Sequence, residues 1–93
     1  MGENRIMSSK TVTIQNSIGL HARPVSFFIQ KANAFRSSIW VEKDEQRMNA
    51  KSLLGILSMG ITKGTTITLL ADGPDEAEAL AALEELIRSG LDA

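Results

Sequence analysis

The residues best suited to chemistry lie together in the stretch GLHARP, which occupies positions 19–24. His21 is the only histidine of the 93-residue chain, and Arg23 follows it two positions later. A neutral imidazole nitrogen is a nucleophile near pH 7, and a guanidinium presents a fork of donors that matches phosphate oxygens. The combination predicts phosphoryl transfer on His21, although a lone histidine is more often an ordinary surface or core residue.

A helix must position this histidine, because an amphipathic pattern begins directly after it. Apolar residues recur at i, i+3, i+4 and i+7, which predicts a helix over residues 22–34 with a buried face made of Val25, Phe28, Ile29 and Ala32. Pro24 falls in the first turn, which it stiffens without the loss of a hydrogen bond. Amides at a helix start lack intrahelical partners, so Ala22 and Arg23 would offer donors to a phosphoryl group on His21.

The second candidate is Ser52, in the stretch KSLLGILSMG at positions 51–60. A short apolar run that follows a serine and is interrupted by Gly55 predicts a brief helix with Ser52 at its N-cap. As a plain cap, Ser52 would contribute about 1 kcal/mol. Phosphorylated, it would carry about −1.5 to −2 charges beside a helix start, which tolerates negative charge.

The leucines after Ser52 are candidates for a partner surface. Leu53, Leu54 and Leu57 crowd a helix too short to hide all of them, which predicts an exposed apolar patch near His21. The alternative is that all three belong to the core. Phe27 lies off the buried stripe of its helix and would extend the patch, whereas covering a helix or sheet edge is its more ordinary role.

The remaining patterns predict an α+β fold. Period-two alternation predicts four strands, at positions 10–15, 38–43, 47–49 and 65–71. A capping-box pattern at 75–78 begins a closing helix that ends near Gly90. The order βαββαβα predicts an open-faced β-sandwich, a four-stranded antiparallel sheet with helices on one face. The rest of the expected core comprises Val12, Ile14, Ile39, Val41, Ile67, Leu69, Ala71, Ala79, Leu80, Leu83, Leu86 and Ile87.

Both quoted stretches resemble motifs of one family. GLHARP resembles the active-site motif of HPr, the histidine-containing phosphocarrier of the bacterial phosphoenolpyruvate-dependent sugar phosphotransferase system, and KSLLGILSMG resembles the family's regulatory-serine segment. The resemblance implies that enzyme I phosphorylates His21 on Nδ1, that Arg23 assists, and that sugar-specific IIA domains receive the group. It also implies that an HPr kinase/phosphorylase modifies Ser52, and that a catabolite control repressor binds the product.

The composition indicates the cellular environment of the protein and the kinds of partner it can bind. The chain has no cysteine, a single histidine and no apolar run long enough to cross a bilayer. We therefore expect no metal, no cofactor, no membrane insertion and a cytoplasmic location. Residues 1–71 carry nine Lys/Arg against four Asp/Glu, an excess that suits an acidic partner or an anion but is too diffuse for nucleic acid. We expect a monomer with one domain at 10–93, after a loosely ordered extension at 1–9.

Other functions remain open at this point. One is a purely regulatory module that acts through Ser52, although such a role does not need the imidazole of His21. Another is a nitrogen-related phosphocarrier paralogue. A small RNA-binding sheet is disfavoured because the strands carry few aromatic residues and the pI is 5.7. The sequence offers neither a second base to pair with His21 nor a P-loop, so we expect partner enzymes to catalyse the transfers.

Overall fold

Four strands and three helices make up the computed structural model, which describes residues 7–15 and 22–90. The elements are β1 (Ser8–Thr13), α1 (Ala22–Ala32), β2 (Ser38–Lys43), β3 (Gln46–Asn49), α2 (Leu53–Leu57), β4 (Thr66–Asp72) and α3 (Glu76–Arg88). The strands form one antiparallel sheet in the order β1-β4-β2-β3, and the helices pack on one face of it. The predicted α+β fold and its order are thereby confirmed.

Strand β1 begins two residues earlier than predicted. Ser8 and Ser9 already pair with β4, so they belong to the sheet rather than to a loose extension. Their polar side chains give no alternating apolar signal, which is why the pattern missed them. Ile14 lies beyond the strand, yet its N–H still bonds to the carbonyl of Thr65 at 2.9 Å. Residues 1–6 of the predicted extension lie outside the described residues.

Helix α1 ends two residues earlier than predicted. The N–H groups of Ala34 and Phe35 bond to carbonyls three residues back, those of Lys31 and Ala32, rather than four. This spacing tightens the last turn and carries the chain out of the helix toward β2. An apolar pattern alone does not show where such a turn begins.

The core lies between the sheet and the helices. The predicted residues of the strands and of α3 are buried, and in α1 only Ile29 of the predicted set remains partly exposed. Phe28 is fully buried, and truncation of such a phenylalanine to alanine costs about 3–5 kcal/mol. The core also contains residues of α2 and of the connecting segments, which are too short to show a hydrophobic periodicity. These are Ala50, Ile56, Met59 and Ile61.

The start of α3 differs from the predicted capping box. Asp75 is the N-cap residue, but within the described part of the chain its carboxylate bonds to no amide of α3. It accepts instead from the N–H of Arg36 at 2.9 Å and from the N–H and hydroxyl of Ser37 at 3.0 and 2.6 Å. The prediction was wrong because three donors from a distant segment outcompete the local amides. We call Arg36, Ser37 and Asp75 the Asp75 clamp.

The Asp75 clamp is closely packed. Ser37 is buried, and its hydroxyl also accepts the N–H of Asp75 at 3.2 Å. A Cβ atom on Gly73 would lie 2.6 Å from the Cα of Ser37, so no larger residue fits there without a backbone shift. The hydroxyl of Ser37, followed by the amide of Arg36, holds the pKa of Asp75 below its ordinary value of 3.8.

Candidate functional site

The start of α1 is the first part of the predicted site. The helix begins at Ala22, the residue that follows His21 in the sequence. His21 lies outside the described residues, and so do the side chains of Ala22 and Arg23. The N–H groups of these two residues belong to the first turn, where an α-helix supplies no carbonyl four residues back. Pro24 is the third residue of the helix, as predicted, and has no N–H to leave unpaired.

The electrostatics of this turn favour an anion. The first turn of α1 carries no acidic residue, and Arg23 is its only charged residue. The positive end of the helix dipole contributes about 0.3–1 kcal/mol to the binding of a negative group, or up to about 2 kcal/mol when the site is partly buried. An anion attached to the residue before Ala22 would therefore be held weakly.

Ser52 caps α2 as the sequence predicted. Its backbone is extended, with φ −105° and ψ 111°, and its Oγ accepts the N–H of Gly55 at 3.1 Å. Its carbonyl accepts the N–H of Ile56 at 3.0 Å, which closes the first helical turn. A Cβ atom on Gly55 would lie 3.0 Å from this Oγ, so the glycine leaves the hydroxyl room. Ser52 is only half-buried.

Two residues that the sequence analysis missed hold the turn before Ser52. Asn49 accepts the N–H of Lys51 through Oδ1 at 2.8 Å and the N–H of Ser52 through its carbonyl at 3.0 Å. The ammonium of Lys51 donates to the carbonyls of Phe35 and Ser37 at 3.0 and 3.1 Å. The asparagine could have been recognised, since it favours such turns. The partners of Lys51 lie 16 and 14 residues away, where no local pattern reveals them.

The exposed apolar patch is smaller than predicted. Leu54 is 80% exposed and Leu53 is 42% exposed. Leu57 is partly buried and packs against the core, so the prediction was wrong for this residue. It lies only one position from the buried Ile56, whereas Leu54 lies two positions away and points to the other side of the helix. The alternative that all three leucines are core is wrong for Leu53 and Leu54.

An open groove between α1 and α2 brings Phe27 and Leu53 to one surface. Its volume is about 350 Å³, and it is lined by Ser26, Phe27, Ile29, Gln30 and Leu53. Phe27 also lines a larger groove of about 470 Å³ between α1 and α3. The half-buried Phe27 therefore borders both grooves, and it shares the first of them with Leu53.

Two further features are absent from the described residues, a cluster of metal ligands and a membrane-spanning helix. Within residues 7–15 and 22–90, no three His, Cys, Asp or Glu side chains lie close enough together to bind a metal ion. Within the same ranges, no helix has the length and apolar character needed to span a membrane.

Comparison with known proteins extends these observations. The family model of the PTS HPr component phosphorylation site matches residues 8–89. The HPr-like protein Crh of Halalkalibacterium halodurans is 48% identical over 77 residues, which are 83% of this chain and 92% of that protein. The phosphocarrier protein HPr of Neisseria meningitidis serogroup A is 46% identical over 81 residues, 87% of this chain and 91% of that protein.

Solved structures agree with these relatives. The crystal structure of HPr-C-His from Thermoanaerobacter tengcongensis has a TM-score of 0.89 and 49% identity, and the match covers 91% of this chain and 96% of that one. A structure of an HPr dimer from the same organism has a TM-score of 0.75 and 46% identity, with complete coverage of both chains.

The fold and the matched region define the class of this protein as that of the small phosphocarriers, which are not themselves catalysts. The chain belongs to the HPr family, whose members include the phosphocarriers of the phosphoenolpyruvate-dependent sugar phosphotransferase system. The resemblance of the sequence to this family is thereby confirmed.

Proposed function

We propose that this protein accepts a phosphoryl group on His21 from enzyme I and passes it to sugar-specific IIA domains. The observation that carries the proposal is the start of α1 at Ala22, directly after His21, in a chain of the HPr family. The amides of Ala22 and Arg23 and the guanidinium of Arg23 are donors for the phosphoryl oxygens. Because the helix dipole contributes only about 0.3–2 kcal/mol, the group is held without being trapped.

The imidazole of His21 supplies the nucleophile. The lone pair of Nδ1 forms a bond to phosphorus while the bond between phosphorus and enzyme I breaks. In the second transfer a nucleophile of the IIA domain attacks the same phosphorus, and the N–P bond breaks. An imidazole is largely neutral near pH 7, which leaves this lone pair free to attack. Pro24 stiffens the first turn of α1.

The apolar side chains beside the start of α1 form the surface on which partners dock. Phe27 and Leu53 share the groove between α1 and α2, and Leu54 is the most exposed of the leucines. Exposed apolar side chains that lie together on a small domain are typical of a protein–protein contact. Leu57 supports this surface from the core side.

Ser52 is the regulatory site of the proposal. An ATP-dependent HPr kinase/phosphorylase would transfer a phosphoryl group to its Oγ, which places about −1.5 to −2 charges beside Leu53 and Leu54. A partner that docks through acidic residues is then repelled, as enzyme I would be, whereas a repressor with basic pockets is favoured.

We also propose a cytoplasmic location and one HPr domain that includes the whole of β1. The monomeric state stays a prediction, since three solved structures of relatives, one of HPr and two of Crh, are described as dimers. Light scattering of the protein in solution measures the oligomeric state directly, because a monomer should give a mass of 10.1 kDa.

One assay tests the phosphocarrier role. The protein is incubated with phosphoenolpyruvate and enzyme I, and the product is examined for an acid-labile phosphoryl group. We expect the adduct in the unaltered chain and in Ser52→Ala, and none in His21→Ala. An adduct that survives in His21→Ala, or no adduct in any chain, contradicts the proposal.

A purely regulatory role is the second candidate, favoured by the 48% identity to an HPr-like protein. In a parallel assay, ATP and the kinase should give an acid-stable adduct that is lost in Ser52→Ala. If this adduct forms and the acid-labile one does not, the regulatory module replaces the carrier. If only the acid-labile adduct forms, the role of Ser52 is wrong and the carrier stands.

Arg23→Ala tests the donor assigned to the phosphoryl group. A hydrogen bond from a charged group is worth about 1.5–3 kcal/mol, so we expect transfer to slow by roughly 10- to 100-fold. Stopped-flow or quench-flow transfer rates measure this, with Arg47→Ala on the exposed face of β3 as the control. Arg23→Ala should keep its Tm, and a parallel fall of Tm and rate would show a structural role instead.

A further inference from the structure

Within residues 7–15 and 22–90, strand β1 has a strand partner on one side only. It is an edge of the sheet, with β4 as its neighbour. Ile14 exchanges two backbone hydrogen bonds of 2.9 and 2.8 Å with the segment just before β4. Backbone groups alternate between the two sides of a strand, so the N–H and C=O groups of Ser9, Thr11 and Thr13 point away from β4. Among the described residues, no strand pairs with that side.

A groove of about 450 Å³ runs along this open side. It is lined by Thr11, Val12, Thr13, Gln15 and Arg88. Its lining comes from β1, from Gln15 just after the strand and from Arg88 at the end of α3, with no residue of β4. A groove beside an open strand edge suits an extended chain that would hydrogen-bond to β1.

Among the described residues, two cations beside the groove share one carboxylate. The Lys10 Nζ lies 3.7 Å from Oε1 of Glu84, and the Arg88 Nη2 lies 3.0 Å from Oε2 of the same carboxylate. The side chains of Lys10 and Arg88 are 52% and 70% exposed, whereas that of Glu84 is 18% exposed. Arg88 lines the groove and is mostly exposed, so its guanidinium can reach a ligand there, and Lys10 of the same strand is half-exposed nearby. The one carboxylate that these two cations share neutralises only one of them.

The other edge of the sheet, strand β3, is less suited to binding an additional strand. Strand β3 spans only Gln46–Asn49. Its Arg47 is paired with Glu42 of the neighbouring β2 at 3.2 Å. An incoming strand would find fewer backbone groups there and no excess of charge in that pair.

We propose that the open edge of β1 binds an extended acidic segment of a partner protein, which adds to the sheet as a fifth strand. Backbone hydrogen bonds to Ser9, Thr11 and Thr13 would supply the pairing, and Lys10 and Arg88 would select for carboxylates. A second copy of this chain fits less well as the fifth strand, since its own Lys10 and Arg88 would meet those of the first copy and repel them. A lysine on an edge strand is a common means of preventing such self-pairing. The site is independent of His21 and Ser52.

A peptide titration tests the proposal. The probe is a blocked heptapeptide of alternating threonine and glutamate, added to the full-length ¹⁵N-labelled protein. We expect saturable shifts and slower hydrogen exchange at the amides of Thr11 and Thr13. The same peptide with lysine in place of glutamate should bind roughly tenfold more weakly, since it loses the charged hydrogen bonds to Lys10 and Arg88.

Variants of the edge separate backbone pairing from charge. Thr11→Pro removes an outward N–H and leaves the pairing with β4 possible, because proline is tolerated on the open side of an edge strand. It should abolish the shifts, whereas Thr11→Ala, which keeps the N–H, should not. Arg88→Gln should weaken binding by about tenfold and Lys63→Gln, an exposed control, should have no effect. Arg88→Gln decides the matter if Thr11→Pro does not fold.

Three results would overturn the proposal. The first is equal binding of the acidic and basic peptides. The second is an absence of shifts in β1 at millimolar peptide. The third is a shift of the amides of Thr11 and Thr13 that depends on protein concentration without peptide, which would make a second copy the occupant.

Discussion

Helices α2 and α3 both begin after a residue of the N-cap type, Ser52 and Asp75, but the two side chains bond to different parts of the fold. The Ser52 hydroxyl accepts the N–H of Gly55 in its own helix at 3.1 Å. The Asp75 carboxylate accepts its bonds from the segment between α1 and β2, including the Ser37 hydroxyl 38 residues away.

This difference assigns the two helix starts to different roles: Asp75 stabilises the fold, whereas Ser52 is available for regulation. A local cap supports one short helix, so replacing or modifying Ser52 affects few other contacts. The Asp75 clamp joins distant segments around the buried Ser37, so its loss leaves buried donors without their acceptor. We expect the proposed modification at Ser52 to be tolerated, and the clamp to be a fixed part of the scaffold.

The largest expected effect on stability is that of Asp75→Asn. The amide group has one acceptor in place of two and presents donors to Arg36 and Ser37, which are donors themselves. The Tm at pH 7 should fall further than in any variant below, while transfer through His21 continues. Asp44→Asn is the matched control, because Asp44 is exposed and its φ of 56° suits asparagine as well.

The pH dependence of this effect has a defined sign. Hydrogen bonds hold the pKa of Asp75 below 3.8 in the folded protein, so its charge stabilises the fold above the unfolded value. That stabilisation is lost as the pH falls through the lower folded value. The Tm difference between the unaltered chain and Asp75→Asn should therefore be largest near neutral pH and shrink in strong acid. A difference that stays constant with pH would argue against the clamp.

Ser52→Ala should have a moderate effect. Loss of an N-cap costs about 1 kcal/mol, which lowers the Tm of a domain of this size by roughly 4–8 °C. The kinase adduct should disappear, while transfer from enzyme I stays unchanged. Ser58→Ala is the matched control, since Ser58 lies at the other end of α2 and donates to the carbonyl of Gly55. A larger fall in Tm than in Asp75→Asn would reverse the comparison between the two helix starts.

Leu54→Ala should have the smallest effect on stability. Leu54 is 80% exposed, and changes at such positions usually stay within about 0.5 kcal/mol. The KM for enzyme I should nonetheless rise, because an apolar contact with the partner is lost. Leu57→Ala should show the opposite pattern, a lower Tm, since Leu57 packs against the core. If Leu54→Ala leaves the KM unchanged, Leu54 is not part of the docking surface.

The order of the elements and most of the core could be predicted from the sequence because each long element carries its own period. Val25 and Phe28 in α1, and Ile67 and Leu69 in β4, follow their patterns and are buried. The residues that were missed act over long distances. An acidic residue before a helix resembles a cap whether it bonds locally or, like Asp75, to a segment 38 residues away.

The same limit applies to the site. Ser52 could be predicted as a cap because its partner lies three residues away. The tether of Lys51 could not, since its acceptors are carbonyls of another segment. The partial burial of Leu57 depends on which side of a five-residue helix faces the core, and so short a run of apolar residues does not define a side.

The central claim is that the start of α1 holds the phosphoryl group carried by His21. Amide spectra of the ¹⁵N-labelled protein, recorded before and after phosphorylation by enzyme I, test it most directly. We predict that the largest shifts occur at the amides of Ala22 and Arg23, while Gly55 at the start of α2 changes little. An adduct on His21 that leaves Ala22 and Arg23 unshifted would contradict the claim.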